Sequence, residues 1–262
     1  MAANVVSQAR RGKQAAGTSR TRATWEFIKS LAGAILIYLV INTLLIAAYR
    51  IPSGSMIPTL LVGDWLFVNR AVYGPHIPFT NAHLPSISEP KRGDVVVFVS
   101  PYQADEAASG ADPTPTLVKR MVGMPGDTLF MRRGQLYVNG VPQRLGFSAS
   151  QPGRTGVPAD SYDPLFDWQH RIELKQSRFG AAPAQPTHDN WGPLLIPAGH
   201  YFMMGDNRYE SKDSRYWGIV PRENVRGRPI FVYYSYRSGE ETDRPLPFLT
   251  DIRWGRIGTR IK

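Results

Sequence analysis

From Leu31 to Tyr49 the chain reads LAGAILIYLVINTLLIAAY, 19 positions without a charged residue. As a helix rising about 1.5 Å per residue, such a run spans about 28 Å, the thickness of a bilayer's hydrocarbon core. Trp25 and Tyr49 stand at its two ends, where interfacial aromatics sit. Two other readings compete, a cleaved signal peptide and a buried core helix. A signal peptide's apolar stretch is shorter, about 7–15 residues, and its basic leader is brief. Here the leader is long, and Ile46-Ala47-Ala48 is a poor Ala-X-Ala cleavage site. The pattern therefore predicts a retained single-pass anchor over residues 30–49, with Asn42 and Thr43 tolerated inside it.

Beyond residue 50 the periodicity shortens. WLFVNRAVY, GDVVVFVS, TLVKRMVG, DTLFMRR, QLYVNG and RPIFVYYSY are rich in β-branched and aromatic residues and are bounded by Gly, Pro or Asp, which predicts short, mostly antiparallel strands. Asn139-Gly140 is the strongest hairpin signal, because both residues accept positive φ. Gln103 to Pro115 and Ser148 to Pro164 read as loops. Between about Met131 and Pro197 the pattern weakens and Pro, Gly and Gln accumulate, as in an inserted β-rich subdomain. The expected organisation is a tail over 1–29, the membrane helix over 30–49, a β core in two parts over 50–130 and 198–262, and the insertion over 131–197. The fold class is mainly β, and no internal repeat is visible.

A hydrophobic fraction of 42% and a charged fraction of 20% agree with a globular β domain rather than a disordered chain. With no cysteine, disulfides, thiolate nucleophiles and Cys-ligated metals are excluded. His76, His83, His170, His188 and His200 form no metal-ligand pair and read as loop or surface residues, so no metal is expected. Neither G-x-x-x-x-G-K-[ST] nor G-x-G-x-x-G occurs, and no cofactor is implied. The net charge of +10 raises nucleic acid as a partner. However, Arg10, Arg11, Lys13, Arg20, Arg22 and Lys29 face only Glu26 before the apolar run, so half of the excess is a tail. Next to a membrane span such a tail reads as topology: a cytoplasmic N-terminus, everything after Arg50 exported, and no nucleic acid bound. Trp254, Arg256, Arg260 and Lys262 are either membrane-lipid contacts or ordinary surface.

Ile51-Pro52-Ser53-Gly54-Ser55-Met56-Ile57-Pro58 follows the span directly. Two prolines restrict φ and the glycine permits a sharp bend, so the segment is either a plain turn or a rigid mount for one serine hydroxyl. A serine nucleophile needs a base, and a lysine neutralised by burial can serve. In Thr116-Leu117-Val118-Lys119-Arg120-Met121, strand alternation sets Leu117, Lys119 and Met121 on one face. Lys119 is then either a solvated strand-end charge or a desolvated amine.

Four blocks resolve these alternatives: Ile51 to Leu60 with Gly63-Asp64; Lys91-Arg92-Gly93-Asp94-Val95-Val96-Val97-Phe98; Val118 to Asp127; and Gly205-Asp206-Asn207-Arg208 with Ser211, Asp213-Ser214-Arg215 and Tyr216-Trp217-Gly218. In order and content the chain resembles the bacterial signal peptidase I family, membrane-anchored Ser-Lys proteases, from about residue 25 through Arg253-Trp254-Gly255-Arg256-Ile257-Gly258. The stretch 131–197 carries little of the match. The resemblance implies the family's antiparallel β catalytic core, with Ser55 as nucleophile and Lys119 as general base. It implies Ser53 and the Ser55 N–H as oxyanion donors, Ser211 as the residue orienting the lysine, and Arg120, Asp206, Asp213 and Arg215 as structural support. Tyr209, Glu210 and Lys212 depart from the family's commoner residues, but they leave the spacing from Gly205 to Ser211 intact. In an extended stretch Lys212 points away from Ser211.

The implied activity is cleavage of preprotein signal peptides at Ala-X-Ala sites, at the exported face of the cytoplasmic membrane, with the secretion translocon as a further partner. Ile51, Leu117 and Val118 flank the two reactive residues and are candidates to line shallow pockets for an extended substrate strand. A narrower maturation protease and a relative of self-cleaving SOS repressors are alternative enzymes, the anchor counting against the latter. Intact Ser55, Lys119 and Ser211 count against an inactive binding protein.

Overall fold

A computed structural model describes residues 22–75, 77, 80, 84–143, 160–237 and 246–262. The basic tail up to Arg20, His76, His83 and most of the loop expected over 148–164 lie outside the described residues. Helix α1 runs from Arg22 to Leu45 and is long and apolar enough to cross a membrane; its last turn, Ile41–Leu45, widens to π geometry. It ends earlier than the apolar run predicts. Ile46–Arg50 is strand β1, paired antiparallel from Ile46↔Asn69 to Arg50↔Trp65 with β2, Asp64–Asn69. Hydropathy does not distinguish a lipid-facing helix from an apolar strand, and pairing with β2 decides it.

The remaining elements are β3 (Val95–Val99), the short helix α2 (Ala104–Ala108), β4 (Thr116–Gly123), β5 (Thr128–Arg132), β6 (Gln135–Val138), β7 (Val141–Pro142), β8 (Trp191–Leu195), β9 (His200–Met204), α3 (Ser214–Trp217), β10 (Val220–Pro221) and β11 (Val225–Ser235). A seven-stranded sheet has the order β1-β2-β11-β3-β4-β9-β10, and a four-stranded sheet has β7-β6-β5-β8. Their strand pairs are antiparallel.

Strand β3 shows why VVVF is apolar without alternation. Val95 and Val97 enter one cluster with Ile51, Met56, Leu60, Leu66, Val68 and Val232. Val96 and Phe98 enter another with Tyr73, Met121, Tyr201, Met203 and Val225, so both faces of the sheet are buried there. A third cluster joins the two sheets: Leu129, Met131, Leu136, Val138, Trp191 and Leu194 pack against Val122, Phe202 and Met204.

The Asn139-Gly140 hairpin forms as predicted, with φ of 53° and 85° and Val138 paired to Val141. The second sheet begins at Thr128 rather than Met131, because the whole of β5 pairs with β6 and β8. Strand β8 was not predicted, since Gly192-Pro193 interrupts its β pattern. Gly192 sits at φ 68°, and a Cβ there would meet Leu129 O at 2.5 Å.

Candidate active site

Ser55 is set in place by the chain's turn out of β1. Ile51 N–H donates to Asp64 O at 2.8 Å and Gly63 N–H to Ile51 O at 2.9 Å, which locks the strand end. Gly54–Met56 then forms one 3-10 turn, anchored by fully buried Met56 and Leu60. Ser55 itself is 8% exposed.

Lys119 lies on β4 opposite Val96 of β3. Leu117 and Met121, its alternate neighbours, pack into the same cluster as Val96, as alternation requires. Lys119 is 4% exposed, and its Nζ donates to Ser55 Oγ at 2.5 Å. Burial pushes its pKa down to about 8; Asp213 and Asp206 pull it upward and the Arg215 guanidinium pushes it further down. Desolvation penalises the ammonium more than the nearby carboxylates favour it. Ser53, exposed on the same turn, brings its Oγ to 3.5 Å from Ser55 Oγ.

The segment 205–215 closes the site from the opposite side. Asn207 N–H donates to Ser55 O at 3.1 Å, and its side-chain amide donates to Gly54 O at 3.2 Å and to Glu210 Oε2 at 2.7 Å. Asp206 receives a two-pronged bond from Arg120, Nε to Oδ1 at 2.7 Å and Nη2 to Oδ2 at 2.6 Å, and Thr59 Oγ1 donates to Oδ2 at 2.5 Å. Arg120 Nη1 also donates to Gly93 O at 2.7 Å and Lys262 O at 3.0 Å. Arg215 grips Asp213 in the same way, Nε to Oδ1 and Nη2 to Oδ2 at 2.8 Å each. Burial alone would raise the Asp213 pKa; Arg215, the Gly205 amide and Lys119 outweigh it and hold the carboxyl below its ordinary value. Arg120–Asp206 and Arg215–Asp213 are therefore two buried ion pairs.

Of two expectations about this segment, the bond from Ser211 to Lys119 is not formed, while Lys212 faces away from Ser211 as expected. Ser211 is 5% exposed, and its Oγ has no hydrogen-bond partner, so it does not hold the Lys119 amine in this structure. The amine's one donated bond goes to Ser55 Oγ instead. Lys212 does turn outward: its Nζ meets Asp105 Oδ2 at 2.5 Å and Glu106 Oε1 at 2.6 Å, both on α2.

Sequence reasoning assigned no role to Asn207, Thr59, Gly205 or His188. His188, read as a loop or surface residue, lies in the loop before β8 and is part-buried, with its Nε2 2.8 Å from Arg208 O. For Asn207 and Gly205 the available signal was their place inside the last of the four blocks; His188 had none.

Ile51, Leu117 and Val118 line one cleft with Tyr49, Pro52, Ser53, Thr116, Ser55 and Lys119. Strand β9 meets β4 at Arg120, Met121 and Gly123, which leaves the edge of Thr116–Lys119 away from β3 without a strand partner among the described residues. Among those residues no three His, Asp or Glu side chains converge on a metal position.

The chain is similar to known proteins over most of its length. Signal peptidase I of Pseudomonas aeruginosa is 36% identical over 231 residues, covering 84% of this chain and 76% of that protein. The Pseudomonas fluorescens signal peptidase I is 36% identical over 245 residues, 89% of this chain and 78% of its own. That of Aquifex aeolicus is 31% identical over 247 residues, 84% and 88% respectively. The profile described as "Signal peptidase, peptidase S26" matches residues 24–234, and with it the chain belongs to the signal peptidase family.

Proposed function

We propose that Ser55 and Lys119 are the nucleophile and base of this serine endopeptidase, which cleaves signal peptides from preproteins at Ala-X-Ala sites. The observation that carries the reading is the 2.5 Å contact between a buried amine of lowered pKa and a serine hydroxyl. The substrate lies as an extended strand along the open edge of Thr116–Val118, with small side chains toward Ile51, Leu117 and Val118.

Neutral Lys119 takes the Ser55 proton as Oγ attacks the scissile carbonyl carbon. The oxyanion is held by the Ser55 N–H and the Ser53 hydroxyl. Collapse breaks the C–N bond, and the Lys119 ammonium gives its proton to the departing amine, which becomes the new N-terminus of the mature protein. The signal peptide remains as an ester on Ser55. Water then surrenders a proton to Lys119 and attacks that ester, releasing the signal peptide carboxylate and returning the proton to Ser55. Arg120–Asp206 ties β4 to the 205–215 segment, and Arg215–Asp213 holds that segment's own turn.

The protein is membrane-associated. Its orientation is inferred from the tail charge: N-terminus cytoplasmic, one span, catalytic domain on the exported side and in contact with lipid. Protease added to intact spheroplasts should digest the chain after Arg50, and full protection of that part would reverse the orientation. For the activity, the test is purified full-length protein in detergent with a preprotein bearing an Ala-X-Ala site. Wild type should release the mature chain and Ser55→Ala should not; cleavage by Ser55→Ala would refute the assignment.

A further inference from the structure

His188 precedes β8 and lies outside the four sequence blocks, yet it touches Arg215 beside the candidate active site. Its Nδ1 lies 2.6 Å from Asp189 Oδ1, and its ring stacks on Tyr209 with centroids 5.0 Å apart. Its Nε2 is hydrogen-bonded with Arg215 Nη1 and lies 2.8 Å from Arg208 O. A guanidinium can only donate, so the Arg215 contact requires a lone pair on Nε2. That contact takes the tautomer with its proton on Nδ1, donated to Asp189, whereas the Arg208 carbonyl at the same Nε2 would accept from the other tautomer.

Arg215 is the organiser of the segment that closes on Ser55. Besides gripping Asp213, its Nη2 donates to Arg208 O at 2.6 Å and Ser211 O at 3.3 Å. Asp213 in turn accepts from Gly205 N–H at 3.1 Å, at the start of the stretch whose Asn207 holds Ser55 O. His188 thus supplies the acceptor for the Arg215 nitrogen that Asp213 leaves free.

We propose that His188, held by Asp189, is a positioning residue for the Ser55–Lys119 dyad, acting through Arg215, Asp213 and the 205–211 segment. The proposal rests on the dyad assignment above. With its proton on Nδ1, His188 accepts from Arg215 through Nε2. The other titratable groups around the ring are Asp189 and Tyr209, with Asp160, Asp163 and Tyr216 across the adjoining cavity.

A further consequence is electrostatic. Asp213 raises the Lys119 pKa and Arg215 lowers it, so loosening Arg215 leaves Asp213 less neutralised and returns the amine toward its charged form.

The test compares His188→Phe, His188→Asn and His188→Gln in the full-length enzyme, with Ser55→Ala as a control, by single-turnover preprotein cleavage across pH. Phe keeps a ring over Tyr209 but has no acceptor. Asn can serve Asp189 but does not reach Arg215. Gln places an oxygen near the Nε2 position. Phe and Asn should lower the cleavage rate by about tenfold, the scale of one hydrogen bond to a charged group. They should leave KM within about twofold and move the acid limb of the rate profile to higher pH, with Gln recovering most of both. The position of that limb does not depend on how much of a variant is folded. A wild-type rate and acid limb in His188→Phe would overturn the proposal, as would failure of Gln to recover either. An active Ser55→Ala would instead overturn the dyad assignment beneath it.

Discussion

A methyl group on Gly205 would fall 2.2 Å from Ser211 Oγ and 2.5 Å from Ser55 O. Neither neighbour is the free end of a long side chain. Ser211 is buried, and Ser55 O accepts the Asn207 amide. Gly205→Ala should therefore push the 205–211 segment off the nucleophile's turn and lower kcat by at least about 10²-fold, the loss expected when reacting groups are displaced by an ångström. Ser211→Ala should be milder, since its hydroxyl has no bonded partner to lose. Steady-state kinetics of the two variants give the comparison, and a more active Gly205→Ala would contradict the packing argument.

The pH dependence follows from Lys119. Its amine acts only when neutral, so kcat/KM should climb with pH and reach half its plateau near pH 8, the lowered pKa. Lys119→Arg should be as inactive as Lys119→Ala, because a guanidinium stays protonated. Stability has the same sign. Between about pH 8 and the ordinary lysine value of 10.5, the unfolded chain holds a proton that the folded chain lacks, so unfolding free energy should rise with pH across that window. In Lys119→Met this contribution should vanish. Denaturant titrations at several pH values measure it, and an identical slope in Lys119→Met would count against burial as the cause.

Two kinds of ion pair should behave differently. Arg120–Asp206 is almost fully buried, with side chains 5% and 3% exposed, whereas Lys212 meets Asp105 and Glu106 with all three side chains about a third exposed or more. Asp206→Asn leaves a buried guanidinium facing a neutral amide, and removing one partner of such a pair costs about 3–5 kcal/mol. Lys212→Ala should cost less than about 1 kcal/mol, the range of solvated pairs. Urea unfolding of both variants separates the cases, and comparable losses would contradict the ranking by burial.

What could be read along the chain was local in origin. VVVF became a strand buried on both faces and Asn139-Gly140 became a hairpin, whereas the neighbours of Lys119 in β4 set its face and left its burial open. Strand β1 was lost inside an apolar run because its partner β2 lies beyond the serine turn. The roles of Asn207, Thr59 and His188 could not be read for a related reason. Each acts through a backbone or side-chain group brought near only by the fold, Asn207 on Gly54 across 153 positions and Thr59 on Asp206 across 147. Ser211 could be located by spacing, but a bond to Lys119 depends on side-chain placement that spacing does not determine.

Ser53 and Ser55 are two positions apart with their hydroxyls 3.5 Å apart, and burial separates their roles. Ser55 is enclosed and takes the Lys119 bond, whereas Ser53 is exposed at the cleft with no such base. Ser55→Ala removes the covalent route and should leave almost no cleavage. Ser53→Ala removes one donor to the oxyanion, a loss on the order of 10²–10³ in kcat, or about 2.7–4 kcal/mol. KM should change little, because that charge develops only in the transition state. Ser53→Thr retains a hydroxyl and should recover part of the rate. Single-turnover cleavage of one preprotein by the three variants measures this order directly. Substantial activity in Ser55→Ala together with a dead Ser53→Ala would exchange the two assignments, since only the nucleophile is indispensable to an ester intermediate.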